Sequence, residues 1–284
     1  MANCFLPLLV RCYTALALDS QAHARYMAAM VKHKHKSLLI TGASSGIGAG
    51  LAREYAAPGV SLALSGRNAA RLQAVAEDCR KQGAQVSEAI IDVTDREATS
   101  TWIKDVDGQR PLDLVIANAG VSQGTSEAEE GERSRRILEV NTLGVIYTVD
   151  AAARQMEPRG HGQIGIVASL AAFRGMPAAA KAYSASKAAA KAYGEGLRMD
   201  LAPKNIGVSV ICPGFVTSRI TDQNKFTMPL LMDPARSAAI IARGLERNKA
   251  RIAFPWPLYF GAWLLGALPP ALSDMILRQG PVKE

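Results

Sequence analysis

Several features that mark whole classes of protein are scarce or missing. There are four cysteines, Cys4, Cys12, Cys79 and Cys212, with irregular spacing and no C-x-x-C pair. Such spacing argues against a disulfide framework and a thiolate zinc site, and fits reduced thiols in a cytoplasm. Near the N-terminus no apolar run approaches the roughly 20 residues of a spanning helix. The stretch Phe5 to Val10 is apolar, but no cation precedes it and it is short for a secretory signal. Aromatic residues make up 6% of the chain and are not interleaved with basic ones. The formal net charge of +8 therefore does not point to nucleic acid, and half of it lies before Ser37. There Arg11, Arg25, Lys32, Lys34 and Lys36 face Asp19 alone. The run Lys32-His33-Lys34-His35-Lys36 holds two imidazoles, but a solvated basic approach to the first strand explains it better than a metal site. No metal is expected. Repeats, low-complexity runs and Gly/Ser linkers are missing too. Residues 1–36 are expected to be a flexible extension or the product of an upstream start, with an amphipathic membrane contact as the alternative.

What remains, over 284 residues with 49% hydrophobic and 20% charged, has globular composition. Short apolar strands alternate with helical stretches. Strands are expected at Leu38–Thr41, Val60–Leu64, Gln85–Ile91, Leu112–Ala117, Gln163–Ala168, Gly207–Ile211 and Arg251–Phe254. Helices are expected at Gly46–Ala57, Asn68–Gln82, from a Thr94 cap with Glu97 at the capping-box position to Asp107, at Glu127–Met156, Ala179–Leu201 and Asp233–Asn248. Pro234 after Asp233 marks the last helix start. Alternation of this kind predicts an α/β fold, a doubly wound parallel sheet of about seven strands with helices on both faces. One domain is expected over 37–254, with an apolar tail, 255–284, packed on it.

Three groups of residues carry chemistry. The turn Gly42-x3-Gly46-x-Gly48, enclosing Ser44, Ser45 and Ile47, follows a strand and opens a helix. Glycines let the backbone approach a pyrophosphate, and the helix N-terminus offers free N–H groups. The second strand ends Leu64-Ser65-Gly66-Arg67-Asn68. A carboxylate usually binds the ribose of NAD in that region, whereas a guanidinium suits a 2′-phosphate, so NADP(H) is expected over NAD(H). Asp92-Val93 and Asn118-Ala119-Gly120 end the third and fourth strands, where a carboxylate can meet an adenine amino group and small residues can pass under a cofactor. Ser169 ends the fifth strand, and Asn141 sits inside a predicted helix that it does not favour. Tyr183 and Lys187, four apart in an alanine-rich helix, share one face.

The set Thr41-Gly42-x3-Gly46-Ile47-Gly48, Asn118-Ala119-Gly120, Asn141, Ser169, Tyr183-x3-Lys187 and Pro213-Gly214 resembles the classical short-chain dehydrogenase/reductase family, in family order, from Lys36 to Phe254. The resemblance implies a Rossmann-type fold and Tyr183 as catalytic acid/base. It implies that Lys187 lowers the pKa of Tyr183 and bonds the nicotinamide ribose, and that Ser169 steadies the carbonyl. Asn141 would hold a water in a proton relay. Pro213, Gly214, Val216 and Thr217 would follow the nicotinamide, with Thr217 reaching its carboxamide. By family analogy the helices around Asn141 and Tyr183 would pair two subunits into a homodimer or homotetramer.

A free phenol has a pKa of about 10 and would have to drop by roughly two to three units to exchange protons near neutrality. Lys187 and an oxidised nicotinamide ring are the expected sources of that drop. The substrate is read from the variable segments. Phe215 to Met232 is expected to form a lid, with Phe226, Met228, Leu230, Leu231 and Met232 as its apolar surface. From Ile252 to Ser273 no residue is charged, and Trp256, Tyr259, Phe260 and Trp263 cluster there. This tail could close an apolar pocket, pack as core or subunit interface, or lie on a membrane. A hydrophobic carbonyl or alcohol is the expected substrate of an NADP-dependent oxidoreductase, cytoplasmic or peripheral to a membrane. The rivals are reduction of a 3-oxoacyl thioester or lipid ketone, and a non-catalytic NADP(H) sensor.

Overall fold

The computed structural model describes residues 34–123, 129–177, 180–222 and 227–277. The described residues from His35 onward belong to one compact unit. The expected extension over 1–36 thus lies almost wholly outside the described residues, as do Phe226 of the lid and the expected helix starts at Glu127 and Ala179.

Short runs of buried aliphatic residues make the strands. β1 (Ser37–Ile40) and β4 (Leu114–Ala117) are buried along their whole length. β2 (Ser61–Ser65), β5 (Gly162–Val167) and β6 (Ile206–Pro213) are nearly as buried, whereas the two edge strands are less so: β7 (Arg251–Phe254) alternates between buried and half-buried, and β3 (Gln85–Ala89) is polar and largely exposed. All pairings are parallel, in the order β3-β2-β1-β4-β5-β6-β7. Side chains alternate between two cores. Leu38 and Ile40 join Leu114 and Ile116 on one face, with Leu51, Leu72 and Ile241. Leu39 and Val115 point to the other, with Ile103, Val149 and Ala190. Helices therefore cover both faces, as a parallel sheet requires.

The first face holds α1 (Gly46–Tyr55), α2 (Ala69–Lys81) and α7 (Pro234–Glu246), and the second α3 (Arg96–Gln109), α5 (Gly144–Met156) and α6 (Lys181–Leu201). Asn68 and Asp233 cap α2 and α7 by accepting from Arg71 N and Arg236 N at 2.9 and 2.8 Å. The expected Thr94 cap is corrected to Asp95, which accepts from Ala98 N at 2.9 Å. Thr94 is diverted because its hydroxyl donates to Asp92 at 2.8 Å.

The long helix expected through Asn141 is not regular. α4 (Glu130–Leu138) passes through a π-helical turn at Glu139–Leu143 before α5 begins. The bulge accommodates a buried Asn141 whose amide closes on the chain of Val121, accepting from its N–H at 2.8 Å and donating to its carbonyl at 2.9 Å. The apolar tail folds as α8 (Trp256–Ala267) and α9 (Pro270–Leu277), broken at Pro269-Pro270. No helix among the described residues is long and apolar enough to cross a membrane.

Candidate active site

The sheet order reverses between β1 and β4, so the loops leaving these strands part and open a crevice at their carboxyl ends. Thr41 and Asn118 fix its floor. The Thr41 hydroxyl accepts from the amides of Asn118 and Ala119 at 3.1 and 3.2 Å. Asn118 Nδ2 donates back to the carbonyls of Thr41 and Gly42 at 2.9 and 3.1 Å. Gly42 takes φ +67°, and a Cβ there would stand 2.7 Å from Ala119 Cα. Gly48 lies behind the cleft. Its absent Cβ would be 2.4 Å from the Gly42 carbonyl oxygen and 2.5 Å from Asn118 Nδ2. Both neighbours are held, so Gly48→Ala is expected to cost about 1–3 kcal/mol as an overpacking change. A lowered Tm and weakened dinucleotide binding would be read by thermal unfolding and titration.

Ser45 at the start of α1 makes no side-chain cap, which leaves the first amides of the helix to another acceptor. They face a cleft of about 910 Å³ walled by Gly42, Ser44, Ser45, Gly46 and Ile47, and by Arg67, Asn68, Asp92, Val93, Ala119 and Gly120. An uncapped helix start under a turn with no room for side chains fits a dinucleotide pyrophosphate. At the far edge Arg67 is exposed, 4.0 Å from Asp92, and Arg71 joins the same wall one helical turn on. The Asp92 carboxylate is already shared among Arg136, Arg67 and the amide and hydroxyl of Thr94. Burial pushes its pKa up, but the Thr94 bonds and the Arg136 guanidinium prevail and hold it below the usual carboxylate range.

Tyr183 and Lys187 reach the cleft from α6, and Ser169 from the end of β5. The Lys187 ammonium is 5.9 Å from the centre of the Tyr183 ring and donates to the Val167 carbonyl at 2.8 Å. Burial lowers its pKa to about 8. The phenol does not follow the expectation of a lowered pKa. Desolvation raises it above 10.0, and a hydrogen bond with Ser169 opposes that rise without reversing it. Burial is the larger influence on the phenol, and the nearby ammonium donates to a backbone carbonyl. Gly120 matters by its smallness, because Asn141 Oδ1 and Lys187 Nζ lie 3.3 and 3.4 Å from where its Cβ would be. Asn141 itself is behind the wall, and its Nδ2 also donates to Ser186 Oγ at 3.1 Å, tying the π turn to α6.

Pro213, Gly214 and Val216 line the cleft, whereas Thr217 does not. A short parallel bridge of Val216 with Met232 turns the Thr217 side chain to solvent, and Ser218 takes the place on the wall, its Cβ 2.9 Å from where a Cβ on Gly46 would be. The segment expected as a lid divides. Phe215, Thr227 and Pro229 reach the wall, whereas Leu230 and Leu231 are exposed and Met232 is buried in the core. The tail supplies the rest of the apolar wall through Pro257, Leu258, Gly261, Ala262, Leu265 and Leu277. Arg174 also lines the cleft and is held by Asp274 of α9 at 2.7 Å. Arg71 was detectable in sequence as the i+4 partner of Arg67. Ser218, Arg174 and Asp274 had no local signal.

A family profile described as short chain dehydrogenase matches residues 36–228. The chain belongs to the short chain dehydrogenase family. As a short chain dehydrogenase it is an oxidoreductase that works with a nicotinamide cofactor. Similar proteins include an uncharacterized oxidoreductase of Myxococcus xanthus, 39% identical over 253 residues, covering 88% of this chain and 99% of that one. Among solved structures, a short-chain dehydrogenase from Sphingobium yanoikuyae in complex with NADPH is 26% identical with a TM-score of 0.69, over 83% of this chain and 97% of that one. The bulky-bulky ketone specific alcohol dehydrogenase from Comamonas testosteroni is 25% identical with a TM-score of 0.67, over 83% and 96% of the two chains.

Proposed function

We propose that the protein is an NADP(H)-dependent oxidoreductase that interconverts a hydrophobic ketone or aldehyde and its alcohol. The observation that carries this is the convergence of Tyr183, Ser169 and Lys187 on one cleft with the glycine turn. A reduced nicotinamide bound in that cleft would supply hydride to the carbonyl carbon. Tyr183, which keeps its proton in the resting cleft, would donate it to the forming alkoxide, and Ser169 would hold the same oxygen as second donor. Lys187 would bind the nicotinamide ribose. Asn141 would act from behind the wall as the proposed anchor of a relay water, and Gly120 would leave room for both.

Arg67, Arg71 and Asn68 at the far edge support NADP(H), as does the NADPH held by the Sphingobium relative. Arg67→Asp is expected to lower the NADPH-to-NADH ratio of kcat/KM by about 10–100-fold, from loss of a charge-assisted bond of about 1.5–3 kcal/mol. An unchanged ratio would remove Arg67 from cofactor selection. The apolar wall from β5 to α9 and the ketone specificity of the Comamonas relative support a bulky hydrophobic substrate. Buried free thiols at Cys79 and Cys212 support a reducing, cytoplasmic setting. Leu138, Leu143 and Met199, exposed on and between α4, α5 and α6, support a homodimer or homotetramer through those helices.

The test is cofactor oxidation by the purified chain with NADPH or NADH against a panel of ketones and aldehydes graded in size. NADPH oxidation, faster with apolar carbonyls, is the expected result. Tight NADPH binding with no oxidation by any carbonyl would replace the enzyme with a sensor.

A further inference from the structure

α8 is apolar on every side, which a helix between a pocket and water should not be. Its inner face, Leu258, Gly261, Ala262 and Leu265, lines the cleft. Its outer face carries Trp256, Phe260 and Trp263, all exposed, with ring centroids 5.5 and 6.1 Å apart along the stack. Leu272, Met275 and Ile276 of α9 are exposed as well. A stacked row of exposed aromatic rings marks an interaction face.

We propose that the outer face of α8 and α9 docks on an anionic lipid bilayer, seating the apolar wall of the cleft against the lipid. Length decides the mode of contact. The 12 residues of α8 extend about 18 Å, well short of a hydrocarbon core of about 30 Å, so the helix lies in the interfacial plane. Tryptophan is suited to that depth. Charge decides the occupant. The chain has a net +8, Arg219 is exposed on the cleft wall, and Asp274, the single carboxylate of α8 and α9, is paired with Arg174. Such a balance attracts anionic headgroups. Copies of the chain have a separate apolar face at Leu138, Leu143 and Met199. Entry of substrate from the lipid rests on the proposed preference for hydrophobic carbonyls, whereas the docking itself does not.

The experiment is co-sedimentation of the full chain with vesicles of phosphatidylcholine alone and of equimolar phosphatidylcholine and phosphatidylglycerol. Alongside it, tryptophan emission is followed with brominated phosphatidylcholine in the vesicles. The expected result is pelleting with the anionic vesicles, reduced by salt, with quenching of Trp256 and Trp263 while half-buried Trp102 stays bright. A variant carrying Phe260→Ser and Trp263→Ser is expected to pellet about tenfold less, with unchanged gel filtration and unchanged turnover of a small water-soluble carbonyl. Wild-type protein that stays in the supernatant with anionic vesicles overturns the proposal. So does a variant that pellets normally but loses subunit association, which would assign the face to a second copy. Failure of the carbonyl panel with vesicle binding intact would sink the functional reading and leave the docking surface standing.

Discussion

Tyr183→Phe is expected to reduce carbonyl turnover by about 10³-fold, within the range of a lost general acid, while the dissociation constant for NADPH stays within about twofold. The substitution removes one oxygen and keeps the ring, so the packing of Ala182 and Tyr183 against Val93, Val121 and Val140 survives. The lost oxygen is the proposed proton carrier and the partner of Ser169. Binding is expected to persist because the cradle at Gly42, Gly46 and Ser45 does not touch the phenol. Steady-state kinetics with the best carbonyl of the panel, and fluorescence titration with NADPH, check the two halves separately. Turnover retained within tenfold would move the proton donor elsewhere in the cleft.

The sheet was legible because parallel strands are buried on both faces and read as unbroken aliphatic runs, as in Leu38, Leu39 and Ile40. Turns were legible for a different reason. Gly42 is required by a positive φ and by the approach of Ala119, and such requirements appear directly as glycine. Tertiary diversion was not legible. Thr94 has the local chemistry of a cap, but Asp92 captures its hydroxyl and Asp95 caps the helix instead. Asn141 looked misplaced in a helix, and the resolution is a π turn that buries it against Val121, a contact 20 residues away in sequence. Thr217 and Ser218 differ by one position, and only the bridge of Val216 to Met232 decides which faces the cleft. Arg174 and Asp274 meet across 100 residues, and no local pattern encodes that distance.

Lys187→Met is expected to abolish turnover and at the same time stabilise the free protein, and the two effects share a cause. Burial lowers the lysine pKa from 10.5 to about 8, so the folded state holds its proton less tightly than the unfolded chain. Below about pH 8 both states are protonated and the full penalty of burying the cation applies. Between about 8 and 10.5 the unfolded chain still binds a proton that the folded state has released, so stability rises with pH. Above 10.5 the penalty is gone. A depression of this size corresponds to about 3 kcal/mol, against which the ammonium's bond to Val167 contributes about 1 kcal/mol. The variant should therefore gain about 2 kcal/mol at pH 7, or roughly 4–8 °C in Tm for a chain of this size, and the gain should shrink as pH passes from 8 to 10.5. Thermal unfolding of both proteins across that range reads the sign directly. A variant less stable at pH 7 would mean that the cation anchors β5 more than burial penalises it. A stability gained by removing the lysine would show that the fold tolerates the charge for the sake of the cleft, in keeping with its proposed role of binding a ribose there.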